Sequence, residues 1–395
     1  MSSVQFTDEN IQQLFGHEAA EHEKLQRLRE SYFKGRIYEK IRADLPLRIL
    51  VGHKGIGKSA LFKIAMAEDL EEEQLPIFLR PDDMTGIEPE AGFLGQIKNW
   101  KYGLQAIIAQ KSLNEFGIKQ EGKIADALSA AGKMIGFISD TVRPYSDTKV
   151  DLTPAQKMLI TKFLKKSAIT VYIDDIDRGW KGRPEDIMGL SALVNAIRDL
   201  SSDNPGLKFK LALRSDVFFL LRTSDESTDK FESSVIWFSW TNHEILALLV
   251  KRIETFFGRA ANERTLMSMK QWDLAKYLNP IMSPIFRGKG KWKEVPTYKV
   301  LMSLIRKRPR DLVKLCWLAA RHAHEADKTI ITTEDLESSF ETYSHERLED
   351  TAIEFNTELP DIKRLLFSMK PSGRRSQRLR VTCTRKPACS LNSRT

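Results

Sequence analysis

With 395 residues, 42% hydrophobic and 29% charged, the chain has the bulk of a globular protein of two or three domains. No apolar run reaches the roughly 18 residues of a membrane span, the N-terminus has no basic patch before an apolar core, and three cysteines make no disulfide framework; a cytoplasmic protein without a membrane partner is expected. The net charge of +9 is no argument for nucleic acid, because residues 370–395 hold eight basic residues and no acid, and subtracting those eight leaves +1 for residues 1–369.

Residues 1–44 read as an N-terminal helical segment, with Ile11, Leu14, Leu25, Leu28, Tyr32, Ile37 and Ile41 mostly three or four apart among charges. Leu45–Val51 is a short apolar strand, followed by glycines and a helix from Ala60. Pro76–Arg80 is a second strand, stopped by Pro81-Asp82-Asp83. Ala91 to Ser139 has a helical period, with Leu94, Ile97, Leu104, Ile107 and Ile108 on one face. Asp140–Asp151, which contains Pro144, reads as a connector. Thr153-Pro154 is a cap and first-turn pair for a helix ending near Lys166. Ala168–Ile173 is a buried strand, Leu190–Leu200 a helix, and Lys208–Leu213 and Ser234–Ser239 two more strands. Strands alternating with helices give an α/β fold with a parallel sheet. The expected domains are the helical segment 1–44, a core over 45–241 with a helical insertion at 91–166, and a helical lid over 242–369. The tail 370–395 reads as a disordered basic arm or as sequence translated in a shifted frame. Its Cys383 and Cys389 lack the spacing of a metal site.

Between the first strand and the next helix lies Gly52-His53-Lys54-Gly55-Ile56-Gly57-Lys58-Ser59. A G-x-x-x-x-G-K-S run in that context is a phosphate-binding loop. Glycines let backbone amides curl around phosphates, and the helix beginning at Gly57 or Lys58 and running through Ala60 adds the positive end of its dipole. Lys58 supplies a charge for the β- and γ-phosphates, and Ser59 a hydroxyl for Mg2+. Lys54, Gly55, Ile56 and Ala60 complete the expected ATP contacts. Downstream, Val171-Tyr-Ile-Asp174-Asp175 is an apolar strand ending in two carboxylates. The first is placed to hold Mg2+ and the second to orient or deprotonate water. Asp177 and Arg178 are expected to pair with each other or with a neighbouring subunit. Guanine recognition by Thr148–Asp151 is disfavoured, because that tetrad precedes the acidic strand.

Arg214, at the end of Lys208–Leu213, is a candidate γ-phosphate sensor; the alternative is a salt bridge to Asp216 or Asp175. That strand is expected to lie between the phosphate-loop strand and the acidic strand. Arg308 or Arg310, at the start of a helix from Pro309, could reach the nucleotide from the lid. Cys316 and Trp317 in that helix read as core, and His322 and His324 do not share a face. Arg80-Pro-Asp-Asp83 sits at a strand's carboxyl end, where ligands bind in such sheets, and reads equally as a structural turn.

The segments Val51–Phe62, Leu79–Asp83, Tyr172–Arg178, Leu211–Val217, Tyr343–Arg347 and, more weakly, Phe15–Glu21 together resemble a family of bacterial P-loop ATPases related to the KAP and STAND groups of AAA+-like proteins. The resemblance spans about residues 14–369. It implies Mg2+ ligation by Asp174, water activation by Asp175, and a setting in bacterial defence or stress signalling. The expected function is an ATP-hydrolysing switch or assembly ATPase with an unknown protein partner, forming an ATP-dependent homo-oligomer in which Arg178, Arg214, Arg222 or Arg310 completes a site. A nucleic-acid motor or loader and a non-hydrolysing ATP-binding scaffold are the alternatives.

Overall fold

The computed structural model describes residues 4–17, 23–87, 92–118, 134–147, 153–224, 226–356 and 359–369. It divides into two compact units, Met1–Glu341 and Thr342–Thr395.

The first unit is built on a five-stranded parallel sheet: β1 (Leu47–Val51), β2 (Leu75–Leu79), β3 (Ile169–Ile173), β4 (Leu207–Leu213) and β5 (Val235–Trp237). Their order across the sheet is β2-β3-β4-β1-β5. Every residue of β3 is buried, as expected for a strand covered on both faces. β4 pairs with β1 on one side (Ile49 opposite Leu211) and with β3 on the other (Ile173 opposite Leu211). The strand ending at Arg214 therefore does separate the phosphate-loop strand from the acidic strand. This is the α/β P-loop fold expected from the sequence, with helical elements following the sheet.

Helices Phe93–Glu115 and Pro184–Asp203 pack against each other. Leu104, Ile108, Leu193, Val194 and Ile197 join Val171, Phe209 and Leu211 in one apolar core. Helix Lys58–Glu71 packs beside β2 and β3. Helix Asp8–Phe15 contacts both Asn242–Phe256 and Pro309–Glu325, so this N-terminal helix packs on the helical part that follows the sheet.

Several expectations needed correction. The described part of residues 1–44 holds three short helices rather than one long one, Asp8–Phe15, Leu25–Ser31 and Arg36–Arg42; Gly16, at φ 83°, ends the first. Asp140–Asp151 is not a connector as far as it is described. Helix Met134–Asp147 runs through Pro144, which falls in its last turn, while Ile138 and Val142 anchor the helix in the core. The helix read as Leu190–Leu200 begins at Pro184, where Pro is in the first turn and its missing N–H removes no bond. Leu94 is exposed, and the buried face of its helix is Leu104, Ile108 and Leu113. The last sheet strand is only Val235–Trp237. The region after His243 is mostly helical but also holds a small antiparallel hairpin, β6 (Ile285–Phe286) and β7 (Val295–Pro296). Most of Ile124–Ile138, the tetrad Thr148–Asp151 and the tail 370–395 lie outside the described residues.

In the second unit, the last part of helix Thr333–Phe355 and helix Ile362–Ser368 are described. Arg347 packs over the Tyr343 ring and pairs with Asp350 at 3.1 Å. Lys363 pairs with Glu349 at 2.9 Å. Tyr343 and Arg347 of the Tyr343–Arg347 motif thus make a local structural contact.

Candidate functional site

β1 and β4 meet at their carboxyl ends, where the Gly52 amide donates to the Leu213 carbonyl at 3.1 Å. From there the loop turns back through Gly55 (φ 76°) and Gly57 (φ 105°), conformations that residues with a Cβ adopt only at a cost. Helix Lys58–Glu71 starts directly after them. The Lys58 ammonium folds over the loop and donates to the carbonyls of Gly52 (2.8 Å) and His53 (3.3 Å). The indole N–H of Trp240, just past β5, donates to the Ile56 carbonyl at 2.9 Å and pins the loop from the other side. His53 Nδ1 lies 2.9 Å from the Ser215 hydroxyl, which links the loop to the residue after Arg214.

Asp174 and Asp175 extend from β3 in different environments. Asp174 is buried. Burial raises its carboxyl above the usual range, while a hydrogen bond from the Ser59 hydroxyl and the charge of Lys58 work in the opposite direction. Asp175 is exposed and adopts φ 60°; its amide donates to the Asp174 carboxylate at 2.9 Å. That bond holds Asp175 in the left-handed region, which aspartate enters more readily than most residues with a Cβ. One carboxylate is thus fixed beside the loop's serine, and the other projects into solvent.

Asp177 does not pair with Arg178. Its partner is Arg214, at 3.3 Å, and Arg214 is also held by Asp216. Burial raises the Asp177 carboxyl and the Arg214 charge counters it. Arg178 instead lies 3.8 Å from both Asp175 and Asp82. The reason is backbone direction: the turn after β3 carries Asp177 inward toward β4 and leaves Arg178 exposed.

These groups line one cleft of about 540 Å³, together with Lys54, Gly55, Ile56, Gly57, Lys58, Ser59, Ala60, Arg178 and Arg310. Gly52 is not in the lining; it shapes the loop from behind, and a Cβ there would sit 3.1 Å from Ile56 and 3.2 Å from Phe238. Arg310 lies over the loop, with its Cδ 3.0 Å from where a Cβ on Gly55 would be. Arg222 is outside the cleft and pairs with Glu232 at 2.8 Å. Arg308 is the cap residue of helix Pro309–Glu325 and is not in the lining either. Arg80–Asp83 makes a turn in which Asp83 accepts from the Arg80 amide (2.8 Å) and from Lys111 (2.8 Å). Cys316 is buried as expected, whereas Trp317 is half-buried, between Lys314 and Arg321.

The cleft also contains residues that sequence reasoning missed. Leu28, Tyr32, Leu248 and Val313 give it an apolar part of the lining, and His17, Glu23 and Arg252 line it too. Arg252 donates to the Phe15 carbonyl, and a Cβ on Gly16 would come within 2.9 Å of its guanidinium. The only sequence trace of this arrangement was the Phe15-Gly16-His17 run; Arg252 and Leu248 are hidden within an ordinary amphipathic helix.

Comparison with known proteins gives partial matches. Residues 243–352 match a family described as the FunZ-associated C-terminal helical domain. A transposon gamma-delta 80.3 kDa protein of Escherichia coli K12 is 23% identical over 350 residues, covering 80% of this chain and 48% of that protein. The chain therefore spans about half the length of the curated relative it matches. Among solved structures, the Walker-type ATPase of Pyrococcus abyssi aligns with a TM-score of 0.39 and 14% identity, over 84% of this chain and 75% of that one. Cdc6p from Pyrobaculum aerophilum aligns at 0.36 and 15%, over 85% and 71%. The fold assignment rests on the strand order and the phosphate loop. Among the described residues, no helix is long and apolar enough to cross a membrane.

Proposed function

We propose that this chain binds Mg-ATP in the cleft and hydrolyses it, acting as a nucleotide-gated switch or assembly ATPase. The observation that carries this reading is the convergence of the glycine loop, the Ser59–Asp174 pair, the exposed Asp175 and Arg214 on one cavity. The triphosphate would lie along the loop amides and Lys58, and the apolar part of the lining at Leu28, Tyr32, Leu248 and Val313 would take the base. The donor set fits a magnesium ion: two hard oxygens, from Ser59 and Asp174, already face each other, and the remaining positions would be filled by phosphate and water. When bound, the ion neutralises charge on the phosphates. Lys58 leaves the loop carbonyls for the phosphate oxygens. Asp175 orients the attacking water and accepts its proton as the terminal P–O bond breaks, releasing ADP and phosphate. Arg214 and Arg310 are the sensor candidates within the chain.

An ATP-dependent homo-oligomer belongs to the same proposal, with Arg178, Arg214, Arg222 or Arg310 as the arginine that completes a site; specific activity that rises with protein concentration would support it. Kinship with the KAP and STAND groups, and a setting in bacterial defence or stress signalling, rest on the motif resemblance. A cytoplasmic location is proposed on the composition.

The test is phosphate release by two variants. Asp175→Asn should retain Mg-ATP and lose turnover by about 10²-fold or more, whereas Asp174→Asn should weaken the magnesium-dependent part of binding. Full activity in both would show that neither acid takes part in the reaction. Normal binding with no turnover in the unaltered protein would make it a scaffold.

A further inference from the structure

The β6–β7 hairpin carries a concentration of charge that the ATP site does not use. Between its strands, Arg287, Lys289, Lys291 and Lys293 are all exposed, against a single acid, Glu294, within the turn. None of the four cations has an ion-pair partner among the described residues, whereas Lys34, Arg42, Lys101, Lys111, Lys165 and Lys328 each face a carboxylate. Glu337 also lies beside the turn, its carboxylate 3.2 Å from where a Cβ on Gly288 would be.

The turn is held in one shape. Trp292 packs edge-on against Phe286 (6.0 Å between centroids) and Phe340 (5.7 Å). The Arg287 amide donates to the Thr333 hydroxyl at 2.9 Å, and the Lys293 amide to the Gly290 carbonyl at 3.2 Å. Gly290 supplies a left-handed turn at φ 64°. Four like charges within the seven residues 287–293 repel one another, a cost that an arriving polyanion removes. The folded body's near-zero net charge conceals this patch, since acids elsewhere cancel it in the sum.

We propose that the turn 287–294 is a contact surface for the phosphate backbone of nucleic acid, read without regard to sequence. Repeating phosphates match several exposed cations presented without a pocket. A membrane surface fits less well, because the turn's one large aromatic, Trp292, faces the Phe286–Phe340 cluster and is not free to enter a bilayer.

The test uses the full chain and a fluorescein-labelled oligonucleotide of about 30 nucleotides, as duplex and as single strand, with anisotropy followed from low to moderate salt. The variant R287A/K289A/K291A/K293A should lose about 10²-fold in affinity for the duplex, and its salt slope should be shallower by about 3–4. ATP turnover and melting temperature should be unchanged, since these side chains touch neither the cleft nor the core. K289R/K291R/K293R should bind as the unaltered chain does. The basic tail is common to all three proteins, so the difference between them isolates the hairpin. Loss on both oligonucleotides, or on one alone, supports the proposal and names the form bound. Unchanged affinity and slope in the alanine variant would overturn it. So would a loss confined to phosphatidylserine vesicles while oligonucleotide binding persists.

Discussion

Strands β3 and β4 each carry polar chemistry twice, and the two placements differ in kind. In mid-strand, Tyr172 and Lys210 are buried; the Tyr172 hydroxyl donates to Asp69 at 2.7 Å, the Lys210 ammonium donates to the Ile41 carbonyl, and Arg42 pairs with Asp69. At the carboxyl ends, Asp174 and Arg214 also have partners, but they line an open cleft. Buried polar groups must be satisfied by the protein itself, so the mid-strand network is closed. Groups at the strand ends can exchange protein partners for a ligand. A change in the first set should therefore be read in stability and a change in the second in binding.

The largest expected effect is at Asp69. Asp69→Ala leaves the Tyr172 hydroxyl buried without its acceptor and removes the most buried of the carboxylates facing Arg42, which keeps Glu72 at 2.6 Å, at a cost of about 3 kcal/mol, while nucleotide affinity of the folded protein stays within about twofold. Urea unfolding and a nucleotide titration on the same sample measure both. Weakened binding with unchanged stability would break the distinction.

Next is Lys210, whose ammonium burial lowers to about 8. Between pH 8 and 10 the unfolded chain still binds the proton that folded Lys210 has released. Stability should therefore rise with pH across that window, by up to roughly 2–3 kcal/mol. Above it, Tyr172, whose hydroxyl burial pushes up, opposes the trend, because only the unfolded tyrosine then loses its proton. Lys210→Met should flatten the rise between pH 8 and 10; an unchanged profile would mean that another group titrates.

The smallest effect is at Ser215. Its hydrogen bond to His53 is exposed, and Ser215→Ala should change stability by no more than about 0.5 kcal/mol. A loss well above 1 kcal/mol in thermal unfolding would show that the loop depends on the end of β4 for its shape.

The same contrast explains what the sequence disclosed. The glycine loop and the Asp174–Asp175 pair are each a contiguous motif with a chemical reason for its residue types, so they were legible. The order of β4 within the sheet followed from its place after the acidic strand. The Asp177–Arg214 pairing was not legible, because it depends on the direction of a turn. Leu28, Leu248 and Arg252 come together only when the N-terminal helices dock on Asn242–Phe256. The β6–β7 hairpin escaped because its strands have two residues each, too few to show a period of two. The helix through Pro144 prevailed over a proline that reads as a break, because Ile138 and Val142 bury into the core.

The central claim is that the loop at Gly52–Ser59 holds the triphosphate. Its most direct test is an equilibrium titration of a fluorescent ATP analogue, with and without Mg2+, into the unaltered chain and into Lys58→Ala. Lys58 donates to two loop carbonyls and belongs to the cleft rather than to the apolar core, so its loss should leave the fold intact and remove a charge from the β- and γ-phosphates. The account predicts saturable binding that Mg2+ strengthens, a loss of ~10-fold or more in the variant, and melting temperatures that agree without nucleotide. Equal affinity in the two folded proteins would contradict it.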